Sequence, residues 1–120
     1  GVFRRQRQMC IRDSPRMAFG VMGGHMQHQG HVQMVKRVFE FGQNPQAAID
    51  APRWHVYPDF TIGLESGFDQ SIASQLVDLG HSVRLEKNES VFGGAQLILR
   101  SENGFVAGSD SRKEGLAAGY

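Results

Sequence analysis

Residues 15–27 read Pro15-Arg16-Met17-Ala18-Phe19-Gly20-Val21-Met22-Gly23-Gly24-His25-Met26-Gln27. Met17 to Met22 is a short apolar run closed by two glycines, the pattern of a buried strand ending in a turn. A helix follows from about residue 28 to 41, where Val32, Val35, Val38 and Phe39 recur at helical spacing among polar neighbours. Gly42 is placed to stop it. A strand feeding an amphipathic helix through a double glycine is the central unit of the chain.

The pattern continues on both sides of that unit. Asn44-Pro45 is an N-cap followed by proline in the first turn of a short helix. That helix should end near Ala51, because the residue before Pro52 is driven out of helical geometry. Residues 61–65 form a weak strand candidate. Asp69 then caps a helix whose Ile72, Ala73, Leu76 and Leu79 make one apolar face, ended by Gly80. Residues 82–86 alternate as a half-buried strand does. Residues 95–100 and 105–109 flank Asn103-Gly104, a hairpin signal expected to supply the two central residues of a type I′ turn. The order predicts a mixed, layered α/β (α+β) domain over residues 15–120.

Residues 1–14, GVFRRQRQMCIRDS, differ from the rest: four arginines, the only cysteine and no clear helical or strand period. The segment is read as a non-native leader resembling translated sequencing-adapter read-through, outside the fold. As a genuine segment it would be a basic arm for nucleic acid, but few aromatics accompany the arginines and net charge is only +1. No nucleic-acid partner is expected. No apolar run reaches the roughly 20 residues of a membrane helix, so no membrane partner is expected either. One cysteine excludes an intramolecular disulfide.

Several residues invite chemistry. Gly23 and Gly24 sit where backbone N–H groups at a helix start lack partners, and a carbonyl can approach them without meeting a Cβ. Chemistry alone leaves an ordinary tight turn and an oxyanion hole both open. His25, His28 and His31 suggest a metal, but on a helix the outer two lie about 120° apart around the axis and no nearby acid completes a set. They are read as polar helix-start residues, with no metal or other cofactor expected. Trp54 is read as packing and Arg53 as pairing with a structural carboxylate. Phe92-Gly93-Gly94 lacks the lysine and helix of a phosphate cradle. Ser109-Asp110-Ser111-Arg112 is a polar turn where salt-bridge anchoring is the default. No serine is marked as activated.

Three motifs in order resemble the γ-glutamyltransferase family: residues 15–33 with their double glycine, Asn44-Pro45-Gln46-Ala47-Ala48 leading into Asp50-Ala51-Pro52-Arg53-Trp54, and Gly108-Ser109-Asp110-Ser111-Arg112 running to Gly119-Tyr120. The resemblance implies part of an αββα N-terminal-nucleophile hydrolase, the C-terminal part of a small subunit released by self-cleavage. It implies a threonine nucleophile that opens the small subunit, with Gly23 and Gly24 as oxyanion-hole residues and a γ-glutamyl small molecule as substrate. The implied partners are the large subunit and the missing N-terminal part of the small subunit. Thr61 is the only threonine here and lies in a different motif, so the nucleophile is expected to be absent from this chain. Well-studied transpeptidases carry small hydroxyl residues and a proline around the double glycine. Met22 and His25 are a variant found in relatives that include β-lactam acylases and small-amide hydrolases.

Overall fold

In a computed structural model the described residues are 6–11, 14–113 and 115–116. Strand β1 (Gln6–Ile11) and strand β2 (Ser14–Met22) precede helix α1 (Met26–Val35), which continues through a π-helical turn, Lys36–Glu40. Helix α2 (Pro45–Asp50), β3 (Trp54–Val56), β4 (Ile62–Leu64), α3 (Gln70–Asp78) and β5 (Val83–Leu85) follow. A 3-10 turn at Glu89–Phe92 leads into β6 (Gly94–Ser101) and β7 (Gly104–Ser109). The architecture is α+β, as the order of elements predicts.

An antiparallel sheet in the order β1-β2-β6-β7 forms the larger layer. One face is packed by α1 and α2. Met17, Phe19 and Val21 of β2 meet Ala95 and Leu97 of β6, and Met34, Val38, Ala48 and Ile49 close over them. Along β2 the inward residues alternate with exposed Ala18 and Met22, the period-2 logic of a half-covered sheet. On the other face Ala18, Met22, Gln96, Ile98 and Phe105 are left exposed, an apolar face awaiting a second layer. The smaller sheet has the order β3-β4-β5, antiparallel then parallel, with α3 as the crossover between its parallel strands.

The expected caps form. The Asn44 side chain accepts from Ala47 N at 2.8 Å, and the Asp69 side chain from Ser71 N at 2.9 Å. Other expectations need correction. A strand forms at Gln6–Ile11, within the segment expected to lie outside the fold and without a legible strand period, because its backbone pairs antiparallel with the outer edge of β2. The β6–β7 hairpin forms, but Ser101 pairs with Gly104, so Glu102 and Asn103 are its central residues. Neither has positive φ; Gly104 does, at 144°, so the turn is not type I′. The apolar face of α3 is only partly covered: Ala73 and Leu76 are half-buried, Ile72 and Leu79 are exposed, and no residue of the helix is fully buried. Val32 is half exposed, whereas the polar His31 and Gln33 are buried on the inner face of α1.

Glutamines account for that inversion. Gln33 Nε2 donates to Trp54 O at 2.9 Å and its Oε1 accepts from Trp54 N at 3.2 Å. One turn earlier, Gln29 Nε2 donates to Val56 O at 3.1 Å and Oε1 accepts from Val56 N at 2.7 Å. Side chains four apart on a helix thus meet alternate residues of a strand edge and complete its hydrogen bonds as a neighbouring strand would. Gln46 does the same on β7, with Nε2 to Ser109 O at 2.9 Å and Ser109 N to Oε1 at 3.1 Å.

Candidate functional site: the double-glycine turn

β2 ends where Met22 pairs with Gly94, and the chain turns through Gly23 (φ 142°) and Gly24 (φ 58°) into α1. The carbonyls of both glycines are spent on the first helical turn: Met26 N donates to Gly23 O at 3.0 Å and Gln27 N to Gly24 O at 3.1 Å. Among the described residues no acceptor takes the N–H of Gly23 or Gly24. Nothing lies within 4 Å of where a Cβ on Gly24 would be. Both residues are exposed. Two adjacent, exposed donors at a helix start, without acceptors among the described residues, suit a carbonyl oxygen gaining negative charge.

The turn is held from behind by Gly93. A Cβ there would stand 1.8 Å from Met22 O, and one on Gly23 would stand 3.1 Å from Gly93 Cα. Only two bare backbones pass so closely. Phe92 and Gly93 are in turn gripped by Arg53, which is wholly buried. Its Nη1 donates to Phe92 O at 2.9 Å and Gly93 O at 3.4 Å, and its Nη2 to Ile49 O at 3.0 Å and Asp110 Oδ2 at 2.5 Å. Asp110 Oδ2 also accepts Ala95 N at 2.8 Å. Arg112 extends the network to Asp110 Oδ1 at 3.0 Å, to Ile49 O at 2.9 Å and to both oxygens of Glu65. Burial pushes the Asp110 carboxyl upward, but the Arg112 and Ala95 N–H groups and the Arg53 guanidinium outweigh it and hold it below its ordinary value. Arg53 and Asp110 therefore form the structural pair, and Phe92-Gly93-Gly94 is a packing joint rather than an open cradle.

His55 lies at 6 % exposure on the face of the small sheet that also carries Tyr57. Its ring meets Tyr57 edge-on at 4.6 Å, and its Nδ1 has no partner among the described residues. Burial, then the proximity of His25, lowers its pKa, with Glu86 opposing. Tyr57 Oη donates to Glu86 Oε2 at 2.5 Å. His28 is exposed, while the His31 ring stands edge-on to Phe19 at 5.4 Å. The three helix histidines thus do not converge. Among the described residues no group of three or more His, Cys, Asp or Glu side chains could hold a metal ion. Thr61 sits in the β3–β4 turn, its N–H on Asp59 Oδ1 at 3.0 Å and its carbonyl accepting Tyr57 N at 2.9 Å. Composition and spacing did not reveal that Gly93 touches the double glycine; only the fold brings those residues, 70 apart in the numbering, together.

The gamma-glutamyltranspeptidase family model matches residues 8–120. The glutathione hydrolase-like YwrD proenzyme of Bacillus subtilis is 31 % identical over 118 residues, covering 92 % of this chain and 22 % of that protein. The oxamate amidohydrolase proenzyme of Klebsiella pneumoniae is 32 % identical over 117 residues, again with 92 % and 22 % covered. Among solved structures, a cephalosporin acylase from Bacillus halodurans superposes with a TM-score of 0.85 at 41 % identity, covering 91 % of this chain and 21 % of that one. A gamma-glutamyltranspeptidase from Pseudomonas nitroreducens gives 0.84 at 19 % identity, with 98 % and 62 % covered, a likeness of fold. The chain spans about a fifth of the length of these curated relatives. With the fold, the order of its motifs and the family model in agreement, the chain belongs to the γ-glutamyltranspeptidase family.

Proposed function

We propose that this chain is the C-terminal part of the small subunit of a γ-glutamyltransferase-like N-terminal-nucleophile hydrolase, and that it supplies the oxyanion hole. A threonine upstream of these residues, freed by self-cleavage, attacks the γ-glutamyl amide carbonyl, and its own α-amine serves as base. As the tetrahedral intermediate forms, the N–H groups of Gly23 and Gly24 receive its oxyanion. Collapse expels the amine, and the acyl group passes to water or to an amino-acid acceptor. The observation that carries this is a pair of adjacent, exposed glycines at the start of α1 whose N–H groups have no acceptor among the described residues. The relatives named as proenzymes support the self-cleavage.

The partners are the large subunit and the remaining part of the small subunit, which bring the nucleophile and the residues that grip the glutamyl group. By itself the chain is inactive. The expected result is no hydrolysis of a γ-glutamyl anilide by this chain and turnover by the self-cleaved complete protein. Turnover by the chain alone, at a rate lost when Gly24 is replaced, would contradict the absence of the nucleophile. Residues 1–14 are a non-native leader. Long-read sequencing upstream of the Pro15 codon should replace them with family sequence, and an intact GVFRRQRQMC reading frame in the source DNA would refute this.

A second reading keeps the fold and changes the acyl group to that of an acylase or small-amide amidohydrolase. The 41 % identity to a cephalosporin acylase and the 32 % identity to an oxamate amidohydrolase favour it. A panel of amides on the complete protein separates the two: preference for acyl groups lacking the glutamyl α-amine selects the second.

A further inference from the structure

We infer that Arg53 is a positioning residue for the double-glycine turn, acting through Gly93 with Asp110 as its anchor. The inference rests on the oxyanion-hole reading of Gly23 and Gly24. Its geometry is a short relay. The Phe92–Gly93 backbone is the surface on which the Met22–Gly23 peptide lies, since a Cβ on Gly93 would be 1.8 Å from Met22 O. Gly93 itself takes φ 68°, a conformation that a side chain would strain. That backbone has a reason to stay in place: Arg53 Nη1 bonds the carbonyls of both Phe92 and Gly93.

Arg53 is fixed on its other side. Nη2 bonds Ile49 O at the end of α2 and Asp110 Oδ2 at the end of β7, and the same carboxylate oxygen bonds Ala95 N in β6. A planar guanidinium with five donors in a fixed fork can hold three carbonyls and a carboxylate at once. A lysine keeps the charge and cannot hold that set. Neither Arg53 nor Asp110 is exposed, so neither is available to touch a substrate within this chain. Their effect on chemistry is transmitted through the direction of the Gly23 and Gly24 N–H groups, where a displacement of about 1 Å is worth on the order of 100-fold in rate.

The test uses the complete protein carrying this sequence, labelled with 13C′-methionine and 15N-glycine. Met22–Gly23 is the one Met–Gly step in these 120 residues, and the signal that disappears in Gly23→Ala identifies its amide in the complete protein. Arg53→Lys and Gly93→Ala should move that amide signal and lower kcat roughly 100-fold with KM little changed. Val38→Ala, a core truncation in the π-helical turn that follows α1, should do neither beyond its effect on stability. An unmoved Gly23 amide in both variants overturns the inference. So does an equal loss of kcat in Val38→Ala, or failure of both variants to fold, since either makes the network a matter of stability alone. A displaced amide in a protein whose Gly24→Val variant keeps full turnover upholds the positioning and discards the oxyanion-hole reading.

Discussion

Asp110 carries more of this fold than its position near the end of the chain suggests. It accepts hydrogen bonds from Arg53, Ala95 and Arg112, and it is almost wholly buried. Removing its charge leaves the Arg53 guanidinium buried without its counter-ion, a loss of about 3 kcal/mol or more at neutral pH. Denaturant unfolding of Asp110→Asn checks this. The pH dependence follows from the direction of its shift. The folded pKa lies below the unfolded value of about 3.9, so the stabilisation is complete above that value and disappears as pH falls through the folded one. Stability of the unaltered chain should therefore decline below about pH 4, and Asp110→Asn should lack that part of the decline. An unchanged acid profile in the variant would contradict the assignment. Arg53 was legible in the sequence as a partner for a carboxylate. Which carboxylate was not, because residues 53 and 110 are 57 positions apart and only the fold brings them together.

Between elements, the glutamines substitute for strands. Gln33→Met should leave the Trp54 N–H and C=O without partners and cost about 1–3 kcal/mol, measured by denaturant unfolding. A loss as small as that of an exposed glutamine such as Gln70 would contradict the strand-edge role. These pairings also explain what sequence patterning missed. Apolar periodicity placed Val32 on the inner face of α1, but backbone hydrogen bonding draws Gln29 and Gln33 toward β3 and leaves Val32 outside. β3 is three residues long and one edge of it is served by side chains, so it left no alternation to read. The strand before the double glycine, the caps at Asn44 and Asp69 and the β6–β7 hairpin were legible, because each is fixed by local residues. The hairpin's register was not, since Gly104 takes its positive φ just beyond the turn instead of within it.

At the scale of the molecule, two apolar surfaces lack a cover among the described residues. One is the outer face of the four-stranded sheet, with Met22, Ile98 and Phe105; the other is the outer side of α3 and β5, with Val77, Leu79 and Leu85. Such surfaces favour association. Sedimentation of the isolated chain should show oligomers or precipitation, and a monomer that unfolds in one cooperative step would contradict its being part of a larger body. The face that bears Met22 leads directly into the double-glycine turn, so whatever covers it also borders the proposed site.

The most direct test is turnover of the self-cleaved complete protein carrying Gly24→Val. A Cβ on Gly24 meets nothing within 4 Å, so the valine changes the turn chiefly by straining a backbone at φ 58°. With self-cleavage and folding intact, kcat should fall on the order of 100- to 1000-fold, the usual cost of losing an oxyanion-hole donor. Turnover at the unaltered rate in a normally cleaved Gly24→Val protein would contradict the assignment of Gly23 and Gly24 to the oxyanion.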